Sequence, residues 1–171
     1  VIPIVDHIGE YTSENGLTGK SLLDKAGGYT KYLRDTFGYS PVDVVQFNRN
    51  LSDSRRRSGD KLQPEEQDFM GSSTMFQRAD VGLALFNPKR YDLSNHLNYN
   101  INKFTDDNGN NRFRALYVLK NTYGASDYGT GMAFIGECGL YKQLPKDMAK
   151  KDWYRYVHLV RNDSIQDLTI R

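Results

Sequence analysis

Val42-Asp43-Val44-Val45-Gln46-Phe47 is the stretch on which the fold turns. Its β-branched and aromatic residues favour extended chain, and its length and near-continuous apolarity read as a strand buried on both faces. Just upstream, Gly38 and Pro41 punctuate the chain. Before them, Leu22, Leu23, Ala26, Tyr29, Tyr32, Leu33 and Phe37 recur at spacings of three and four. That spacing predicts a helix from Ser21 to Phe37 with one apolar face turned inward, capped by Ser21 with Asp24 three residues on and stopped by Gly38. Gly27-Gly28 is the discordant pair, because each glycine costs a helix about 1 kcal/mol against alanine. Farther upstream, Glu10–Gly19 reads as a polar, glycine-punctuated loop, and Val1-Ile2-Pro3-Ile4-Val5 as another strand buried on both faces, closed by Asp6. Strand, helix, strand at these distances is a βαβ unit, with parallel strands and a right-handed crossover.

Toward the carboxyl end, Asn48–Gln67 is polar and aperiodic, a length that suggests a functional or mobile loop. Ser72–Asp80 reads as a short helix or turn, and Val81–Phe86 as a third strand stopped by Asn87-Pro88. Thr105–Asn111 is a turn built on Asn108-Gly109. Phe113–Leu119 and Met132–Ile135 are the fourth and fifth strands, an antiparallel hairpin that Leu140-Tyr141 prolongs. The expected class is therefore α/β, a mostly parallel sheet with a C-terminal antiparallel hairpin. The division is a core over residues 1–145 and a basic tail over 146–171, where Lys146–Arg161 carries five Lys/Arg against two Asp.

Composition narrows the classes. The 171 residues suit one domain, and no apolar run approaches the roughly 20 residues of a membrane helix. A single cysteine, Cys138, rules out a disulfide framework within the chain and fits a reducing compartment. A net charge of +2 is too small to mark a nucleic-acid binder by bulk electrostatics. Opening in a core strand leads to the expectation of further chain upstream of Val1.

Four places carry chemistry. Asp6 closes a strand at its carboxyl end, the edge where open α/β sheets bind ligands, and a carboxylate there can serve magnesium or simply cap a turn. Gln46 holds the matching place on the next strand, where an amide can sense a terminal phosphate or satisfy loop backbone. The βαβ unit sets these two ends side by side. Arg55-Arg56-Arg57, with Lys61 nearby, suits phosphate groups, although Asp53 and Asp60 partly offset it. Lys120 ends the fourth strand as a cation that either reaches outward or is solvated. Gly16–Ser21 contains Gly-Lys-Ser but lacks the first glycine of a phosphate loop, and His7, His96 and His158 lack metal-ligand spacing.

In this order the residues resemble the RecA-like ATPase domain of DnaB-type replicative helicases, from the Walker B strand onward. Val1–Asp6 is similar to that strand, Val44–Arg49 to the strand ending Gln-Leu-Asn-Arg, and Met132–Gly136 to the final strand. Asp68–Asp80 runs parallel to the family's Asp-Leu-Arg-Glu-Ser-Gly-Ser-Ile-Glu-Gln-Asp-Ala-Asp, with Asp68, Ser72, Gln77, Ala79 and Asp80 identical.

The resemblance implies a RecA-like P-loop NTPase core, N-terminally incomplete, belonging to an ATP-dependent DNA-unwinding ring. Asp6 would be the Walker B carboxylate for Mg2+, Gln46 the phosphate sensor, and Lys120 the basic residue that reaches a neighbour's ATP. Arg49, Arg55, Arg56, Arg57 and Lys61 in the polar loop, with the backbone at Gly71 and Ser73, would grip single-stranded DNA. The implied assembly is a homo-hexamer, cytoplasmic, bacterial or phage-encoded and nucleoid-associated, with other replication proteins as partners and no membrane.

The sequence departs from the family at two sites: the arginine two residues after the lysine is Thr122, and the DNA-loop arginine is Met70. With no phosphate loop in these 171 residues, the isolated chain is expected to be inactive on ATP. The alternative is a non-catalytic RecA-like module that binds single-stranded DNA or a helicase partner. Another RecA-like ATPase, of recombinase or clock type, fits Asp68–Asp80 less well.

Overall fold

The computed structural model describes residues 1–6, 16, 19–47, 51, 62–69 and 73–145. They fall into two compact units. The first holds the expected βαβ unit. Strand β1 (Ile4–Val5) pairs in parallel with β2 (Val42–Asp43), Ile4 beside Val42 and Val5 beside Asp43. Helix α1 (Gly19–Phe37) connects them. Gly38 ends α1 with φ +64°, and its N–H returns to the Arg34 carbonyl at 3.0 Å, the left-handed stop that a residue without Cβ makes cheaply.

Two expectations about burial fail here. Leu22, Leu23 and Gly27 are the buried positions of α1, whereas Tyr29, Tyr32 and Phe37 are exposed. The reason is the close approach of a second helix, α2 (Ser73–Arg78): a Cβ on Gly27 would stand 3.4 Å from Met75 Cγ. Leu22, Leu23 and Gly27, rather than the aromatics, form the inward stripe. Gly27 of the pair lies directly against Met75 of α2, whereas Gly28 faces only the Arg78 guanidinium. The β1–β2 pair is likewise not buried on both faces. Pro3, Val5, Asp43 and Val45 are half-buried, while Ile4 is 68% exposed and Val42 46% exposed on the other side. Phe47 lies beyond the strand in a bridge with Phe69, and Phe69 contacts Phe76 of α2.

The second unit is built on a four-stranded sheet in the order β3-β6-β7-β8: Val81–Phe86, Phe113–Asn121, Tyr128–Ile135 and Leu140–Gln143. The ends Val81–Gly82 and Leu119–Asn121 belong to the first unit. The β6–β7 and β7–β8 pairs are antiparallel, so the mostly parallel sheet expected from the sequence is corrected: among the described residues parallel pairing is confined to β1–β2. Short turns cannot join parallel strands, which need a crossover of a dozen residues or more. One face of this sheet is covered by Asn87–Asn111, which includes a hairpin of β4 (Asn95–His96) and β5 (Tyr99–Asn100). Phe86, Tyr99, Ile101, Phe104, Phe113 and Ile135 make its core. The rings of Tyr99, Phe104 and Phe113 meet at centroid distances of 5.4 to 6.3 Å. Buried His96 Nε2 lies 2.5 Å from the Tyr117 hydroxyl, whose ionisation burial opposes.

Candidate functional site

The parallel pairing continues past the two strands. Ser40, Val42 and Val44 donate backbone N–H groups to the carbonyls of Val1, Pro3 and Val5 at 2.9 to 3.1 Å. Asp6 thus leaves the carboxyl end of β1 beside Val44, and Gln46 follows two residues farther along the neighbouring chain. Side chains alternate in extended chain, so Ile2, Ile4 and Asp6 share the outward side with Val42, Val44 and Gln46. All six are exposed. The two residues singled out from sequence therefore stand at one carboxyl edge and on one open face. An exposed carboxylate at such an edge suits Mg2+, which keeps several waters and takes one or two protein carboxylates together with phosphate oxygens. No group of three or more His, Cys, Asp or Glu side chains gathers among the described residues, so a metal cage made of protein alone does not fit there.

Asp43 is the residue the sequence reading missed. It faces α1, and its Oδ1 is buried with no hydrogen-bond partner among the described residues. Burial raises the Asp43 carboxyl above the usual range, against the opposing hydrogen bond from Thr30. The Thr30 hydroxyl also lies 3.3 Å from the carbonyls of Ala26 and Gly27, which compete for its single proton. A carboxylate inside Val42–Phe47 was the available signal: an acid in a run otherwise fit for burial.

Lys120 is engaged within its own chain. Its ammonium donates to the carbonyls of Gln77 at 2.6 Å and Phe76 at 3.2 Å, at the carboxyl end of α2, and lies 5.9 Å from the Phe76 ring centre. Arg34 completes the clamp, donating to the Arg78 carbonyl at 3.0 Å and pairing with Asp80 at 2.8 Å. Two cations thus sit where the helix dipole is negative and its last carbonyls lack partners. Asp68 is fully buried and accepts the Glu65 N–H at 2.8 Å, capping the short 3-10 turn Glu66–Asp68. Ser73 opens α2. Arg49, Arg55, Arg56, Arg57, Lys61 and Gly71 lie outside the described residues, as does the tail 146–171.

No protein-family model matches the chain, and no curated protein sequence matches it. Among solved structures it is similar to the ATPase domain of a DnaB-like helicase, with a TM-score of 0.62 and 16% sequence identity. The match covers 84% of this chain and 44% of that one, so the chain spans less than half of that neighbour's length. A likeness at this identity shows a shared fold: mixed α/β, resembling a RecA-like ATPase domain. No described helix is long and apolar enough to cross a membrane.

Proposed function

We propose that this chain is part of an ATP-driven, helicase-like motor, the part that responds to the nucleotide's terminal phosphate and grips single-stranded DNA. The observation that carries the reading is the placement of Asp6 and Gln46 on one open carboxyl edge of the parallel β1–β2 pair. Asp6 would hold Mg2+, and bound ATP supplies the phosphoryl group to be transferred. The Gln46 amide both donates and accepts, so it can contact a phosphate oxygen or orient the attacking water.

Arg49, Arg55, Arg56, Arg57 and Lys61, with the backbone at Gly71 and Ser73, make the phosphate contacts to DNA in this reading. Lys120 is assigned to the nucleotide of an adjacent copy in a hexameric ring, which requires it to leave the α2 carbonyls. The finer setting, a cytoplasmic replication complex, rests on the same resemblance.

The test is DNA-stimulated ATP turnover by the full-length gene product. Asp6→Asn is expected to lower turnover on the order of a hundredfold or more, because the metal stabilises several kcal/mol of transition-state charge. Gln46→Ala is expected to lower it with nucleotide affinity retained. Changing Arg55, Arg56 and Arg57 together to Ala is expected to weaken single-strand binding and flatten its salt dependence. Unchanged turnover in both edge variants would remove nucleotide from this edge. A second reading, a non-catalytic module that binds single-stranded DNA or a helicase partner, is favoured by the α2 clamp on Lys120 and by Thr122 two residues on. Under that reading the wild-type gene product itself turns over no ATP.

A further inference from the structure

In the second unit, the face of β6–β8 that bears Arg114 and Phe134 is only half-buried. Three side chains on three neighbouring strands form a row across it. Arg114 of β6 lies over the Phe134 ring of β7 at 5.2 Å, and Phe134 stacks on Tyr141 of β8 with centroids 4.7 Å apart and planes 29° from parallel. Among the described residues β8 is the last strand in the sheet, so the row ends there in Tyr141, which is 38% exposed.

The charge on this face is one-sided. Strand alternation and register give the paired stretches of β6, β7 and β8 nine positions there, from Arg114 to Gln143, with one arginine and no carboxylate. Glu137, in the turn joining β7 to β8, has both oxygens on Arg112 at 2.6 and 3.0 Å. A guanidinium and two stacked rings on a flat sheet, free of acidic side chains, match a nucleobase carrying its phosphate. Every base has a π-face to extend the stack, and the cation favours the anionic backbone. Arg114 Nη1 donates to the Asn111 and Phe113 carbonyls at 2.9 and 2.6 Å, which holds the guanidinium over the Phe134 ring.

We infer that the Arg114–Phe134–Tyr141 row is a stacking platform for single-stranded DNA, with a base continuing the stack on Tyr141. It is a second contact surface, apart from the loop arginines, and it rests on the proposed function only in the choice of DNA as ligand.

The experiment is fluorescence anisotropy of a labelled oligothymidylate, and of an abasic oligonucleotide of equal length, with the full chain. Tyr141→Ala is expected to weaken thymidylate binding about tenfold for the base it loses. Tyr141→Phe should bind like wild type, and the abasic strand should be indifferent to either change. Tyr141→Leu keeps the apolar bulk and removes the π-face, so it should behave like Tyr141→Ala even if the alanine variant folds poorly.

Unchanged thymidylate affinity in a folded Tyr141→Leu variant overturns the platform. Equal losses for thymidylate and abasic strands overturn it too, because the contact is then not stacking. If Tyr141→Leu instead dissolves a self-association seen by light scattering and leaves DNA binding alone, the face is a protein interface and the inference fails. Changing Arg55, Arg56 and Arg57 to Ala serves as the independent arm: a loss there with no effect at Tyr141 retains the proposed function and rejects the platform.

Discussion

Replacing Asp43 by Asn should make the protein more stable at neutral pH, and the gain should vanish in acid. The buried Oδ1 has no hydrogen-bond partner among the described residues, and Thr30 divides its proton between this carboxylate and two helix carbonyls. Burial raises the folded-state pKa above the unfolded one. A group raised in this way binds its proton more tightly when folded. Its contribution is fully present below the unfolded value of 3.8 and is lost as pH rises through the folded pKa. At pH 7 the wild type therefore carries an unfavourable charge. An unsatisfied buried polar group costs about 1–3 kcal/mol, and the half-buried carboxyl places Asp43 at the low end, about 1 kcal/mol. For a chain of this length that is roughly 2–4 °C in midpoint. Urea unfolding of both proteins at pH 7.5 and near pH 4 measures it. A variant less stable at pH 7.5, or a gain of equal size at both pH values, would refute the reasoning.

Other expectations concern packing and charge. Gly131→Ala should destabilise by about 1–3 kcal/mol, because a Cβ there would stand 2.7 Å from the Tyr99 ring and 3.1 Å from Phe113 in the core. Gly28→Ala should stabilise by about 1 kcal/mol, since the added methyl meets only the guanidinium of Arg78 at 3.5 Å; both follow from thermal midpoints. Burial opposes ionisation of Asp106, but the Asn110 N–H and Arg112 outweigh it and hold the carboxyl below its usual range. Its contribution is therefore present above the unfolded pKa and lost as pH falls through the folded one. Arg112→Met, which removes the partner of Asp106 and Glu137, should lower the midpoint and flatten this acid limb of the stability profile. Lys120→Met should cost about 0.5–1 kcal/mol through the lost α2 contacts. An ATPase defect in the full-length product well beyond that change in stability would mark a separate role on nucleotide.

Local signals in the sequence transmitted the elements well. Strand β3 occupies Val81–Phe86 as read, because its β-branched start and Asn87-Pro88 stop are both local. The same holds for the hairpin of β6 and β7 and for the βαβ order of β1, α1 and β2. Facing was harder to read. Apolar residues occur around much of α1, and which of them turn inward depends on packing against distant chain, such as Met75 at Gly27. The β4–β5 hairpin was not legible, because its turn places Leu97 and Asn98 at φ +48° and +65° without the glycine that normally signals such a turn. At the candidate site, the placement of Asp6 and Gln46 at one carboxyl edge was readable, because strand ends follow from strand order. Asp43 and the α2 clamp on Lys120 were not, since both depend on helices brought in from distant sequence.

The proposed edge for metal-bound nucleotide at Asp6 and Gln46 can be probed by electron paramagnetic resonance of Mn2+ in place of Mg2+ on the full-length gene product. A protein-bound Mn2+ signal is expected that requires ATP, is lost in Asp6→Asn, and persists in Gln46→Ala. The same ATP-dependent signal in Asp6→Asn as in wild type would contradict it.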